Sequence, residues 1–141
     1  MRFLAMITLL ATGIAFAGGG AGGDLKKFQG AWQRLSIIDG GKKVEGAEKG
    51  VVVFKGNEYT LKDGDTVKGT GTFKLDESKN PKEFDIVPAA GAAKGKTLKG
   101  IYKFEGDQLI YCIAGLSLDR PKDFASPDGA KVRLYTNKRA K

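Results

Sequence analysis

A strict period of two runs through Thr66-Val67-Lys68-Gly69-Thr70-Gly71-Thr72-Phe73-Lys74-Leu75-Asp76. Successive side chains of a β-strand point to opposite faces of the sheet, so this alternation predicts a strand with one buried and one solvated face. The face predicted to be solvated carries threonines and lysines. The face predicted to be buried consists of Val67, Gly69, Gly71, Phe73 and Leu75.

The same alternation returns on both sides of this segment, in residues 58–62 and 97–105. Between such segments Gly stands beside Asn or Asp, at Gly56-Asn57, Asp63-Gly64 and Gly106-Asp107, and these pairs tolerate the positive φ of tight hairpin turns. Links this short join antiparallel neighbours, because a parallel crossover needs about a dozen residues or more. The pattern predicts eight strands, near residues 31–38, 50–55, 57–62, 66–76, 82–88, 97–105, 108–114 and 130–138.

The expected fold is all-β: an eight-stranded antiparallel up-and-down barrel with a short N-terminal helix. A barrel is favoured because closure removes the two open edges that eight meandering strands otherwise expose, and a β-sandwich is the alternative. The helix is expected over Asp24–Phe28, with Asp24 as its N-cap. The stretch 115–129 is the one long loop, and we expect it to fold over one end of the barrel.

The first 17 residues have the form of a secretory signal peptide. Met1-Arg2 is a short basic start, an apolar run follows, and Ala15-Phe16-Ala17 is the small-x-small motif that signal peptidase accepts. The apolar run is shorter than the roughly 20 residues that a membrane span needs. The predicted organisation is a signal peptide at 1–17, a Gly-rich linker at 18–23 and a lipocalin-like barrel domain at 24–139, in a protein exported to the periplasm or out of the cell.

The composition excludes the commonest catalytic and metal-binding chemistry. The chain has no His and one Cys, which leaves no imidazole, no Ser-His or Cys-His pair, no intrachain disulfide and no CxxC site. The run 91–97 ends like a phosphate-binding loop, but Ala90 stands where that pattern needs Gly, and Asp63-Gly64-Asp65 lacks the further ligands of a calcium loop. We therefore expect no enzyme, no catalytic residue, no metal and no cofactor. Hydrolysis by an Asp/Glu pair is the alternative, and it needs two carboxylates facing one pocket.

The net charge of +8 comes mainly from lysine. Nineteen of the 24 cationic residues are Lys and five are Arg, and the lysines are spread evenly along the chain. Recognition of phosphates or bases favours clustered Arg with interleaved aromatic residues, so no specific nucleic-acid partner is expected. A scattered lysine coat keeps strand edges from pairing and gives a weak attraction to anionic surfaces. Cys112 lies in the apolar run 109–114 and is expected to be buried.

The start of the predicted domain resembles a known family. Gly30-Ala31-Trp32 directly follows the predicted helix, and a helix followed by Gly-x-Trp resembles the lipocalins and wider calycins, in which the Trp closes the base of the barrel against a basic side chain. From about Leu25 to Arg139 the chain more closely resembles an uncharacterised lipocalin-like domain of planctomycete bacteria. The resemblance implies a small, commonly exported barrel with no established activity, and a barrel-closing Trp32 whose basic partner is Arg139 or Arg133. The matching residues are Leu25–Trp32, Phe54–Thr60, Gly71–Asp76, Pro81-Lys82, Gly95–Tyr102, Gly106–Leu109, Cys112 and Arg120–Phe124.

Two functions fit the predicted barrel. In the first, its interior binds a small apolar or amphipathic ligand. In the second, the interior is filled and the protein is a structural or interaction module of the cell envelope that acts through its surface, because eight short strands enclose a space that side chains can fill. Inward glycines at 69, 71 and 100 are compatible with both functions. Without a side chain they leave volume in the barrel interior, and they also let strands bend. The predicted lining consists of Tyr59, Leu61, Phe73, Leu75, Tyr102, Phe104, Leu109, Tyr111 and Ile113.

Overall fold

The computed structural model describes residues 23–140. Within them the chain forms one α-helix, one 3-10 helix and nine strands. The elements are α1 (Gly23–Phe28), β1 (Gly30–Asp39), β2 (Lys42–Lys43), the 3-10 helix (Ala47–Lys49), β3 (Gly50–Lys55), β4 (Glu58–Asp63), β5 (Thr66–Asp76), β6 (Lys82–Pro88), β7 (Gly100–Glu105), β8 (Gln108–Ala114) and β9 (Val132–Arg139).

Eight of these strands close into an antiparallel barrel. β1 pairs with β3, each later strand pairs with the next along the chain as far as β9, and β9 pairs back with β1. β2 is a two-residue strand that pairs with the last residues of β1. The all-β up-and-down barrel is therefore confirmed. The sandwich alternative is wrong, because all these strands belong to one sheet that closes on itself.

The observed strands differ from the predicted ones mainly at their ends. β7 begins at Gly100 rather than at residue 97, because Leu98 forms only an isolated bridge to β6. Val67 was predicted to face the core, but it is 54% exposed. The register of β4 against β5 shifts beside it, between Leu61 and Lys62, and a shift of this kind interrupts the period of two before Val67 is reached.

The half of the barrel next to α1 is filled by aromatic side chains around Phe28. Phe28 is fully buried, and its ring centroid lies 5.0 Å from that of Phe54 and 5.1 Å from that of Tyr102. Three further rings lie 5.4 to 5.7 Å away. Contacts of this type between buried rings contribute about 0.5–1.5 kcal/mol each beyond their burial. The set, called the aromatic cluster below, consists of Phe28, Phe54, Phe73, Phe84, Tyr102 and Phe104.

Side chains of the barrel bond the last carbonyls of α1 and hold the helix at this end. The Trp32 indole Nε1 donates to the Phe28 carbonyl at 2.8 Å, and Arg139 donates to the carbonyls of Lys27 and Gln29. The last carbonyls of a helix have no partner within it, so these bonds supply what the helix end lacks. They also fix Phe28 in its central position.

The prediction that Asp24 caps the helix is wrong. α1 begins at Gly23, and Asp24 Oδ2 accepts hydrogen bonds from Lys82 Nζ at 2.8 Å and from the Tyr102 hydroxyl at 2.7 Å. The Asp24 carboxylate is buried. It therefore ties α1 to β6 and β7 instead of satisfying the amides of the first helical turn.

The long loop does not fold over an end of the barrel. Residues 120–125 pack on the outer face of β6, β7 and β8, where the Arg120 guanidinium pairs with Asp85 and Glu83 of β6, and residues 126–130 bond to Gly40 at the end of β1. Further along the loop, the Ala125 carbonyl accepts a hydrogen bond from Cys112 Sγ at 3.4 Å. The loop therefore adds an outer layer to one wall of the barrel.

Cys112 is buried, as predicted, but on the outer side of its strand. Along β8 the side chains of Tyr111 and Ile113 join the core of the barrel, so Cys112 between them points outward. Its outward neighbours Ile110 and Ala114 are buried as well. An apolar row on the outer face of a strand needs a cover, and the loop supplies it over Cys112.

Two predicted segments fall wholly or partly outside the described residues. These are the signal peptide at 1–17 and the linker at 18–23, of which only Gly23 is described, as the first residue of α1. Across residues 23–140, no helix has the length and apolar character required to cross a membrane.

Candidate functional site

A cavity occupies the part of the barrel that the aromatic cluster leaves unfilled. Its volume is about 140 Å³, and it opens to solvent beside the exposed Arg133. Phe54 and Phe84 belong both to the aromatic cluster and to the lining, so they form the floor of this space. A cavity of similar size, about 150 Å³ and apolar, stays dry in another protein and binds benzene. We call the space the barrel cavity.

Ten of the twelve residues that line the barrel cavity are aliphatic or aromatic, five of each, and the other two are arginines. They are contributed by strands all round the barrel, namely β1, β3, β4, β6, β8 and β9, which places the cavity inside the barrel rather than in a surface groove. Apolar walls of this kind favour a ligand part without polar groups of its own. The aliphatic lining residues are Ile37, Val52, Leu61, Ile86 and Ile113.

The residues predicted to line the barrel do point into its core, but they divide into two groups. Four of them line the barrel cavity: Tyr59, Leu61, Tyr111 and Ile113. The other five lie in the packed core below it, where they leave no room for a ligand: Phe73, Leu75, Tyr102, Phe104 and Leu109.

Two of the three inward glycines serve close packing rather than free space. A Cβ at Gly71 would lie 2.5 Å from a backbone oxygen of β6 and 2.6 Å from the Tyr59 ring, and a Cβ at Gly100 would lie 2.7 Å from two backbone oxygens. The space that a Cβ would take at Gly71 or Gly100 is already occupied by neighbouring atoms. At Gly69, by contrast, a Cβ would meet its nearest neighbour, a side-chain carbon, at an ordinary 3.7 Å.

The lining also contains a buried cation, Arg34 of β1, whose exposed fraction is 7%. Its Nε donates to Asn137 Oδ1 and its Nη2 donates to the Tyr111 hydroxyl, both at 3.0 Å. Its guanidinium carbon lies 4.7 Å from the centre of the Tyr135 ring. Within residues 23–140, no carboxylate lies within 4.0 Å of this guanidinium and Nη1 forms no hydrogen bond. Among the described residues, the charge therefore contacts an amide, a phenol and a ring but no counter-ion.

The lining contains three tyrosines, Tyr59, Tyr111 and Tyr135, of which Tyr111 and Tyr135 contact the Arg34 guanidinium. The rings of Tyr111 and Tyr135 lie 4.9 Å apart between centroids. Burial raises the pKa of Tyr59, and the nearby phenols of Tyr111 and Tyr135 raise it further. Burial also raises the pKa of Tyr111, and this effect outweighs the opposing effect of Arg34. Tyr59 and Tyr111 are therefore neutral at physiological pH and carry hydroxyl protons that can be donated.

The arginine at the mouth of the barrel cavity differs from Arg34 in having a counter-ion. Arg133 Nε lies 3.0 Å from Asp39 Oδ2, and both side chains are largely solvated. Pairs in this setting contribute little to stability, typically below about 1 kcal/mol. Of the two lining arginines, Arg34 is thus the one with no carboxylate partner in the part of the chain that the structure describes.

The opposite, closed end of the barrel holds Trp32. Its ring is buried, and the Arg139 guanidinium carbon lies 4.0 Å from the ring centre. Of the two basic partners considered for Trp32, the structure places Arg139 against it, whereas Arg133 is bound to Asp39 at the other end.

Sequence reasoning misses Arg34, Tyr135 and Asn137. A polar residue in an alternating strand is normally assigned to the solvated face, and β9 carries polar residues on both faces. One signal does identify Arg34: it stands two residues after Trp32, and side chains two residues apart in a strand share a face. Since Trp32 is assigned to the interior, Arg34 follows it there.

Comparisons with models of protein families, with curated proteins and with solved structures found no match to this chain. Among the described residues, no group of three or more His, Cys, Asp or Glu side chains is arranged to hold a metal ion. The polar groups that the barrel cavity offers are guanidinium and phenol donors, set among apolar walls.

Proposed function

We propose that the protein is an exported, non-catalytic binding protein of the lipocalin-like kind, whose barrel cavity holds a small apolar or amphipathic ligand. The observation that supports this is the barrel cavity itself, about 140 Å³ in volume, open at one end and closed below by Phe54 and Phe84. Pockets for drug-sized molecules reach about 300–1,000 Å³. The ligand is accordingly small, or it places one small apolar group inside and the rest beyond the mouth.

The make-up of the lining supports binding rather than catalysis. General acid–base catalysis works best with a group whose pKa lies near the working pH. Burial moves the pKa values of Tyr59 and Tyr111 upward, away from that range. Hydrolysis by two carboxylates would require both to face one pocket, and the described lining of the barrel cavity contributes arginines and tyrosines instead.

Export and the lipocalin-like assignment rest on separate features. Export is supported by the signal-peptide pattern of residues 1–17. The assignment is supported by the order of α1, Gly30 and Trp32 at the closed end, and by the Arg139 guanidinium that covers the Trp32 ring. The export proposal is tested by expressing the full chain in a bacterium and purifying the protein from the periplasm or the medium. Export predicts that the recovered protein lacks residues 1–17.

Binding is tested by titrating the labelled protein with toluene and following backbone amides by NMR. We expect saturable shifts at cavity residues such as Ile113 and Tyr135, and none at the Trp32 indole N–H at the closed end. Native mass spectrometry of gently purified protein supplies a second measurement, because a ligand retained from the cell appears as added mass.

A matched pair of variants shows whether toluene occupies the barrel cavity. Leu61→Phe adds bulk to the lining and is expected to weaken toluene binding by about tenfold or more, since the ligand then competes with the new ring for about 140 Å³. Val67→Phe adds the same type of ring at an exposed position and is expected to leave binding unchanged. If neither toluene nor an amphipathic probe of similar size, such as benzoate or benzamide, causes a saturable shift in the wild type, the ligand proposal fails and the filled-core surface module replaces it.

A further inference from the structure

We propose that the ligand of the barrel cavity carries a single carboxylate, which pairs with the Arg34 guanidinium while its apolar part lies against the aliphatic walls. This rests on the proposed function, because it specifies the chemical class of molecule that the barrel cavity takes. Small aromatic and branched aliphatic monocarboxylates belong to this class.

The first step concerns the cost of burying Arg34. A guanidinium removed from water loses its favourable hydration free energy. In proteins a carboxylate partner normally compensates for this cost. Arg34 is more than nine-tenths buried, and no described carboxylate lies within salt-bridge distance of it. The two hydrogen bonds and the contact with the Tyr135 ring compensate only in part, because their partners are neutral. An anion from outside would complete the site.

The second step concerns geometry. Nε and Nη2 of Arg34 are held by Asn137 and Tyr111, which fixes the plane of the guanidinium, while Nη1 has no partner among residues 23–140. Asn137 is itself held, since its Nδ2 donates to the Leu109 carbonyl at 3.0 Å. A guanidinium fixed in this way is preorganised, so a carboxylate loses little by pairing with its remaining donors.

The third step concerns the number of charges on the ligand. The second arginine of the lining, Arg133, already has Asp39 as its counter-ion at 3.0 Å. Within residues 23–140, one cation of the lining remains without a counter-ion, which matches one carboxylate rather than two. The apolar walls then favour a hydrocarbon body on that carboxylate over a small inorganic anion, which could not use them. The net charge of +8 attracts anions from solution in the same direction.

Three probes of nearly equal size separate the contributions of the ring, of a neutral polar group and of the negative charge. They are compared at pH 7, where benzoate is ionised. Benzoate has the ring and the charge, benzamide has the ring and a neutral polar group, and toluene has the ring alone. With wild-type protein, we expect benzoate to bind at least about tenfold more tightly than benzamide, in keeping with a charge-assisted bidentate pair. The preference for benzoate should shrink as salt is added.

Arg34→Met keeps the length of the side chain and removes its charge, so we expect it to lose the preference for benzoate and still to bind toluene. Lys74→Met removes the same charge from an exposed outer position and is expected to keep the wild-type preference. If Arg34→Met does not fold, the wild-type comparison of benzoate with benzamide tests the carboxylate, and the shift of the Arg34 Nε–H signal on benzoate binding tests the assignment to Arg34.

The outcomes distinguish this proposal from the one on which it rests. Benzamide or toluene binding as tightly as benzoate would overturn the carboxylate while leaving the binding function in place. Failure of all three probes to bind would overturn the binding function and the carboxylate together. A benzoate preference that persists unchanged in Arg34→Met would show that another cation provides it, and would overturn the assignment to Arg34.

Discussion

Gly71 and Gly69 stand two residues apart on β5, yet they have different surroundings. A Cβ at Gly71 would lie 2.6 Å from the Tyr59 ring and closer still to a backbone oxygen, whereas a Cβ at Gly69 would make an ordinary contact at 3.7 Å. We expect Gly71→Ala to lower the free energy of unfolding by about 1–3 kcal/mol, as overpacked sites do. Gly69→Ala should change it by less than about 1 kcal/mol, or raise it, because Ala restricts the unfolded chain. Urea denaturation of the two variants checks this, and equal losses would contradict it.

Asp24 makes the stability of the barrel depend on pH. Burial by itself raises its pKa, but the hydrogen bonds from Lys82 and Tyr102 outweigh burial and hold the pKa below the usual value of 3.8. A carboxyl group whose pKa is lowered on folding stabilises the protein above its unfolded pKa, and this contribution is lost as the pH falls from about 4 through the lower pKa of the folded state.

Asp24→Asn is therefore expected to unfold more easily at pH 7, by about 1–3 kcal/mol, and to lose less stability than the wild type between about pH 4 and pH 2. The control Glu58→Gln removes an exposed carboxylate and should keep the wild-type pH profile. Thermal unfolding followed by circular dichroism across this range provides the measurement. Parallel profiles for Asp24→Asn and wild type would show that the Asp24 contacts do not contribute to the pH dependence of stability.

Arg120 attaches the first part of the loop of residues 115–131 to the barrel, and Ser126 and Gly129 attach its last part to Gly40. Arg120 pairs with Asp85 and Glu83 and also donates to the Gly100 carbonyl at 2.8 Å. Beneath the loop lies Cys112, and burial raises the pKa of its thiol. Access of a reagent to that thiol consequently reports whether the loop is closed.

Arg120→Met is expected to increase the rate at which a thiol reagent modifies Cys112, by about fivefold or more, while the barrel stays folded. The reason is that leaving the loop without its ion pairs makes local opening easier. Lys122→Met, an exposed change in the same loop, should keep the wild-type rate. With a chromogenic disulfide as the thiol reagent, the absorbance of the thiolate that it releases measures the rate. Equal rates for both variants would show that other contacts hold the loop.

On the scale of the whole molecule, the barrel follows from the sequence more directly than its interior does. Period-two segments separated by Gly-Asn and Gly-Asp turns predict the strands, and the need to cover open edges predicts their closure. The division of the interior into the aromatic cluster and the barrel cavity cannot be predicted in the same way. The reason is that Phe28 enters the interior from a helix rather than from an alternating strand. Arg34 and Asn137 are buried against the usual preference of their residue types. Such placements depend on partners that only the closed barrel brings together.

Closure of the barrel depends on the pairing of β1 with β9, and this seam governs the tendency of the chain to aggregate. Cross-strand neighbours lock the seam through their side chains: Trp32 with Arg139, and Arg34 with Asn137. If the seam opened, two unpaired strand edges would be exposed at once, and exposed edges recruit strands from other chains. We therefore expect the contact of Arg34 with Asn137 also to protect the protein against self-assembly into fibres.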